Sequence, residues 1–471
     1  MSVEAVLEAQ RGLIVAPAGC GKTHLITDTL AVTPKKPYLV LTHTTAGVAA
    51  LKQKLRRLLV PPQNYVVTTI DGWALRLASY FPSLCPLKSQ PEQPKAFYPE
   101  LRRTVLAALG TGQIQDIIKA SYSRILVDEY QDCNMDQHQL IQALSSALPS
   151  VVFGDPMQCI FNFGGPMPRW NEDVREYFPV LKTLDFPWRW HNTGTLELGS
   201  WILQCREALL AGQKIDLNSC PKLVRFNEIT GVSSTDSQSQ RGAHYSLLKD
   251  NPNDSILVLG NSKNPTSRHN FAQQTRGLDV VEPVDLRDVI EAASRFDRSN
   301  GSHLVRNLLQ ACSGIMTNVE TEKTMGRLDT IQSGRNRTPP NPVEFFLMRL
   351  AQEGRREDLL EALRQVENKA GVRVYRKAAF NALKDALQKA VDDPELSIRD
   401  AAAKIREQRR HQGDKRIPSR AIGSTLLLKG LECDHSLILD ADDMNSKHLY
   451  VALSRGAKSI TVFARSNIVG D

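Results

Sequence analysis

The sequence predicts an α/β protein whose parallel sheets are shared between two or more domains. Three observations carry this. At 471 residues the chain is too long for one ordinary hydrophobic core. Short, continuously apolar runs recur at 13–15, 38–42, 125–127, 151–153, 255–261 and 460–463, as strands buried on both faces do. The first of these runs leads into a glycine-rich turn that opens a helix.

That first stretch is LIVAPAGCGKT, residues 13–23. Gly19 and Gly21 let backbone N–H groups approach a triphosphate, and the helix N-terminus adds positive potential. Ala18, Gly19, Cys20, Gly21, Lys22 and Thr23 are therefore candidate nucleotide-binding residues. Lys22 would reach the β and γ phosphates, and the Thr23 hydroxyl would hold Mg²⁺. Ala16 stands where the general pattern has its first glycine.

Composition narrows the class. Hydrophobic residues at 41% and charged ones at 23% are those of a soluble globular protein. Lys and Arg number 59 against 51 Asp and Glu, a net charge of +8 that is compatible with nucleic acid without requiring it. No apolar run is long enough to span a membrane, and no secretory signal is visible. The cysteines (20, 85, 133, 159, 205, 220, 312, 433) form no C-x-x-C, so neither a zinc site nor a disulfide framework is indicated, and a reducing cytoplasm is expected. There is no internal repeat.

The chain in order predicts a helix over 23–30 and a strand over 38–42. A polar turn at 42–45 follows, then a long helix with Lys52, Lys54, Arg56 and Arg57 on its solvated face. YVVTTIDGW reads as a short strand and loop, and 81–112 as Pro-rich and then helical. In RILVDEYQD, a buried strand delivers two acids at its C-terminal end, where open α/β sheets bind ligands. Asp128 is suited to hold Mg²⁺ through water, and Glu129 to orient and deprotonate an attacking water. SVVFGDPMQCIFNFGG repeats the plan, with Gln158 near the γ-phosphate.

The ordered set APAGCGKT, LTHTT, TTIDGW, VDEYQD and GDPMQCIF resembles the first motor domain of UvrD/Rep-type superfamily 1 DNA helicases. TLDFPWRW, STLLLKGLE and LYVALSRGAK resemble that family's later segments. The resemblance implies two RecA-like P-loop NTPase domains with ATP and Mg²⁺ between them. The first would occupy 1–80 and 120–190, with a small insertion over 81–119. The second would occupy 191–270 and 419–471, with a helical insertion over 271–418. It implies that Trp188 stacks on adenine, that Arg189 and Arg455 are fingers on the γ-phosphate from the domain facing Lys22, that Gly430 lies near the γ-phosphate, and that Glu432 meets the ribose. Single-stranded or 3′-tailed DNA would run across both domains, with bases stacked at Phe163 and His43 and phosphates held by Thr42, Thr69 and Ser424. The implied activity is ssDNA-stimulated ATP hydrolysis driving 3′→5′ helicase movement.

The departures fall mostly on the DNA side. Gly164 replaces an Arg, Leu426 a His, and Asp71-Gly72 a His-Ser pair, while Pro187 replaces an Asn. Gln10 lies too close to the loop to be the family's adenine-reading Gln, which leaves base specificity open. ATP hydrolysis is thus the firmer expectation than unwinding. Within the second insertion, FFLMRLAQEGRREDLLEALRQV and AFNALKDALQKAV carry helical spacing, and ETEKTMGRLDTIQSGRNRTPPNP reads as an exposed loop. Its Arg327, Arg335 and Arg337, with KIREQRRHQGDKR further on, are candidate duplex contacts, a solvated surface being the commoner explanation. The shortness and the DEYQD segment also resemble the helicase subunit of the Gabija anti-phage system, which works beside an OLD-type nuclease. Anti-phage defence or DNA repair is the setting this implies. The competing expectation is a DNA-sensing ATPase subunit that regulates a partner nuclease without unwinding alone.

Overall fold

A computed structural model describes residues 3–91, 93–161, 165–283, 285–412 and 418–471. Two compact units divide the chain, Met1–Glu228 with Ala441–Asp471, and Ile229–Asp440. Phe163 and Gly164 lie outside the described residues, as do 413–416 of the basic KIREQRRHQGDKR stretch.

The first sheet uses β1 (Arg11–Val15), β2 (Tyr38–Thr42), β3 (Tyr65–Thr69), β4 (Ile125–Val127), β5 (Ser150–Gly154) and β6 (Val180–Thr183). These six strands run in the order β3-β2-β4-β5-β1-β6, and every pairing is parallel. The apolar runs are continuous because both faces are covered. Leu13, Leu39, Ile125, Val127 and Val152 enter one core, while Ile14, Val40, Leu126, Val151 and Phe153 enter the core on the other face. Phe97, Leu101 and Val105 line one stripe of the helix Pro94–Gly110 and join the first of these cores.

The chain continues through β7 (Ile215–Asp216), β8 (Val224–Glu228), β9 (Ile256–Leu259), β10 (Asp279–Val280), β11 (Arg420–Gly423), β12 (Cys433–Ile438), β13 (Gly456–Ala464) and β14 (Ile468–Val469). In the unit Ile229–Asp440, β9 is flanked by β11 and β12, with β10 beyond β11, again all parallel. In the other unit β8 pairs parallel with β13, and β7 antiparallel with β14. The chain is therefore α/β, with parallel sheets. Among the described residues no helix is long and apolar enough to cross a membrane.

Two stretches differ from their sequence reading. Ile70–Tyr80 is a helix rather than a loop, because Thr69 accepts the Gly72 N–H at 2.9 Å as its N-cap while Ile70, Trp73, Ala74 and Leu77 form one buried stripe. Thr321–Gln332, within the expected exposed loop, is also a helix. Its charged residues mask Met325, Leu328 and Ile331, which recur every third position and are buried. Along 287–412, helices share one apolar cluster, to which Phe296, Leu308, Leu328, Leu347, Leu363 and Leu383 contribute.

This unit also holds two neutral histidines, His244 buried and His269 half-buried. Burial, with the Arg420 charge adding to it, pushes His244 down to about 4. Burial and the Arg376 guanidinium push His269 down to about 4 as well, Asp288 opposing and Arg268 adding. Both folded values lie below the ordinary 6.5, so the unfolded chain binds these protons first. Their stabilising contribution is complete above that value and declines as pH falls toward 4. The urea midpoint of the full chain should fall between about pH 6.5 and 5, where ordinary carboxylates change little, and His244→Gln should make that decline shallower. A midpoint flat over this interval would contradict the buried neutral state.

Candidate active site

The site is assembled at the C-terminal ends of adjacent strands, where an open parallel sheet leaves a crevice. From β1 the chain enters the loop 16–21, tethered by the Ala16 N–H to the Gly154 carbonyl at 2.9 Å. Gly19 and Gly21 have φ of +73° and +86°, a left-handed backbone that glycine adopts without strain. The second glycine starts the helix Lys22–Ala31, whose first N–H groups receive no side-chain cap. Burial pushes the Cys20 thiol up to about 12, so it packs as a small apolar group.

Lys22 points at the ends of β4. Its ammonium lies 2.9 Å from Asp128 and also contacts Glu129. Burial works against its charge, yet the two carboxylates outweigh that and hold Lys22 above its ordinary range. Glu129 sits in the left-handed region at φ 55°, which costs a non-glycine residue about 1–3 kcal/mol. Gln131 secures it from the next turn, donating to Glu129 and accepting the Asp155 N–H at 3.1 Å.

After β5, Asp155 is buried and acts as a hub. It accepts the Met157 N–H and the Gln158 amide, each at 3.1 Å, and forms an ion pair with the buried Arg206 at 2.7 Å. Arg206 comes from the helix Leu196–Leu210, where it occupies the buried stripe otherwise made by Leu198, Ile202, Cys205 and Leu209.

After β6, Trp188, Arg189 and Trp190 pack on the loop. A Cβ on Gly21 would lie 2.9 Å from Trp188, and one on Gly19 would lie 2.6 Å from Trp190. The Arg189 N–H donates to the Gly19 carbonyl at 3.1 Å, and its guanidinium donates to the Ser454 carbonyl. Trp190 Nε1 donates to the Gly456 carbonyl at 3.0 Å. The helix Ser446–Leu453 brings in Tyr450, a buried phenol whose oxygen accepts the Ala18 N–H at 2.9 Å. Arg455 is buried just beyond, its Nε donating to the Val451 carbonyl at 2.8 Å and its Nη2 to the Ser454 hydroxyl at 2.6 Å. Both arginines belong to the compact unit that carries the loop, rather than to one facing it. The reason is tertiary: β13 pairs with β8, and this draws the chain beyond Ala441 into the first unit.

The structure thus brings together Ala18, Gly19, Cys20, Gly21, Lys22, Thr23, Asp128, Glu129, Gln158, Trp188, Arg189 and Arg455 in one unit. Ser424, Gly430 and Glu432 belong to the other. Ser424 is buried at the end of β11, Gly430 has φ +81°, and Glu432 is exposed. Of the DNA-side candidates, Thr42 and Thr69 are register partners at the ends of β2 and β3, with His43 immediately after. Asp71 is engaged by Arg102 through two hydrogen bonds of 2.7 Å, which explains an acid there: it anchors the helix Pro94–Gly110. Arg327 donates to the Thr338 carbonyl and hydroxyl at 2.8 Å, and Arg335 donates to the Ser333 hydroxyl.

Sequence reasoning missed Gln131, Arg206 and Tyr450. Arg206 left one signal, a cation on an otherwise apolar helical stripe, whereas Tyr450 looks like any aromatic in an apolar helix.

A glycine turn leading from a central strand to a helix without a side-chain cap, a lysine there, and acids after the neighbouring strands thus meet at one end of the parallel sheet. Residues 98–179 match the family described as the UvrD/REP helicase N-terminal domain. That segment contains Asp128, Glu129, Asp155 and Gln158. Among solved structures, an arterivirus nonstructural protein 10 (helicase) in complex with DNA is similar at 12% identity and a TM-score of 0.28, covering 54% of this chain and 49% of that one. The chain thus spans about half the length of that helicase. No curated protein matches.

Gly19→Ala combines a left-handed backbone with a Cβ that would press on Trp190. It should lower stability by about 1–3 kcal/mol, read as a shifted denaturation midpoint followed by tryptophan fluorescence.

Proposed function

We propose that this protein is an ATP-dependent DNA helicase or translocase of UvrD/Rep type, in which ssDNA-stimulated hydrolysis drives 3′→5′ movement. The observation that carries it is the Lys22 ammonium held against Asp128 and Glu129 beside an uncapped helix N-terminus. The donor set suits a nucleoside triphosphate with Mg²⁺: unpartnered helical N–H groups and a buried cation for phosphate oxygens, a hydroxyl and a carboxylate for a hard cation.

ATP supplies the transferable phosphoryl group, and Mg²⁺ neutralises part of its charge. Lys22 leaves its carboxylate partners to meet the β and γ phosphates, while Thr23 and Asp128 hold the metal. Glu129, released from Lys22, accepts the proton of the attacking water. Gln158 orients groups beside the γ-phosphate, and Arg189 and Arg455 add positive charge there, arginine fingers being worth about 10³–10⁵ in rate in other NTPases. Trp188 stacks on the base, with Gly430 and Glu432 completing the phosphate and ribose contacts. Thr42, Thr69 and Ser424 grip DNA phosphates, and His43 and Phe163 stack on bases.

Glu129→Gln should reduce ATP turnover by about 10²–10⁴ while leaving binding of a fluorescent ATP analogue intact. Unchanged turnover would remove Glu129 from the mechanism. Single-stranded DNA should stimulate hydrolysis, with affinity falling linearly in log–log plots against salt. Strand displacement on a 3′-tailed duplex should follow; hydrolysis without displacement would favour a DNA-sensing ATPase that regulates a partner nuclease.

A further inference from the structure

The buried pair Arg206–Asp155 lies outside the set of groups assigned to the nucleotide. Its geometry says what it does. Asp155 Oδ1 receives Arg206 Nε at 3.1 Å and Nη2 at 2.7 Å, together with the Met157 N–H at 3.1 Å. Oδ2 receives the Gln158 amide nitrogen at 3.1 Å. Arg206 also donates to Glu207, and its exposure is 2%.

An ionised carboxylate only accepts, so it can face only the NH₂ end of a glutamine amide. Arg206 fixes that carboxylate in place: its Nε and Nη2 both donate to Oδ1, which leaves Oδ2 turned to the Gln158 amide. The amide polarity of Gln158 is therefore set two steps away, by a residue on the helix Leu196–Leu210. That helix and the turn Pro156–Gln158 both pack against the helix Ser446–Leu453, whose Tyr450 caps the Ala18 N–H of the loop. Arg206, Asp155 and Tyr450 thus form one buried polar node joining the Gln158 turn, the nucleotide loop and the segment that ends in Arg455.

We propose that Arg206 is a positioning residue for nucleotide hydrolysis, acting through Asp155 to hold the Gln158 amide in one orientation beside the γ-phosphate. This rests on the NTPase reading above. Arg206 touches no substrate, so its loss leaves the phosphate-binding groups in place and acts on turnover. A packing role would act on stability instead.

The test begins with wild-type ATPase and Lys22→Ala, then compares Arg206→Gln, Arg206→Lys and the double variant Arg206→Met/Asp155→Asn. The double variant removes the unpaired charge and leaves an acceptor for the Met157 N–H. Each is read for kcat, KM for ATP, binding of a fluorescent ATP analogue, and thermal midpoint. Arg206→Gln should lose about tenfold or more in kcat with KM changed by less than about twofold. Arg206→Lys should recover part of that kcat. The double variant should regain the thermal midpoint but not kcat, and it decides the matter if Arg206→Gln folds poorly. Wild-type kcat in Arg206→Gln, or kcat restored together with stability in the double variant, would overturn the proposal and leave the NTPase reading intact. Absence of Lys22-dependent hydrolysis in the wild type would overturn both.

Discussion

A buried lysine needs a counter-charge, and Lys22 has two. Its ammonium against Asp128 and Glu129 joins the start of the loop helix to the end of β4, although β5 lies between β1 and β4 in the sheet. The arrangement works only if β1, β4 and β5 run parallel and end level, so that their C-terminal turns converge. The apolar cores on both sheet faces enforce that, and the left-handed backbone at Glu129 is tolerated because those cores and Gln131 hold it. On the proposed reading, a phosphate that took the lysine would free both carboxylates for metal and water, so the contact that neutralises the site would also ready its acid–base group.

A second constraint is the polar node beneath the loop. Arg206 and Asp155 are both almost fully buried, and either charge alone would be costly there. A hydrophobic pair could fill the space with equal stability, so the pair is better understood through what it orients, the Gln158 amide. Tyr450 extends the node by taking a loop N–H that would otherwise be available to phosphate. The helix Ser446–Leu453 thus touches the loop through one hydrogen bond and packs against both the turn Pro156–Gln158 and the helix that carries Arg206.

The DNA-side positions have a different character. Thr42 and Thr69 end neighbouring strands; Thr69 is the N-cap of the helix Ile70–Tyr80, whereas Thr44 caps the helix that follows Thr42. Asp71 has been turned to structural use, clamping the helix Pro94–Gly110 through Arg102.

Much of this was legible in the chain itself. Strands buried on both faces leave continuous apolar runs, the loop needs glycines and a lysine at set spacing, and acids follow β4 directly, so each can be read within a dozen residues. The helix at 321–332 was not legible, because its charged residues hid a narrow apolar stripe, and the helix at 70–80 was read as a loop although its apolar residues recur at helical spacing. Only the tertiary structure decided the partners that lie far apart in sequence. Arg206 and Asp155 are separated by 51 positions, Trp190 and Gly456 by 266, and Ala18 and Tyr450 by 432. Such contacts leave no periodic trace, since they depend on how β13 returns to β8 and not on any local preference. The sequence alone determined a glycine-rich loop between a buried strand and a helix; the return of the last segment determined which buried groups hold it.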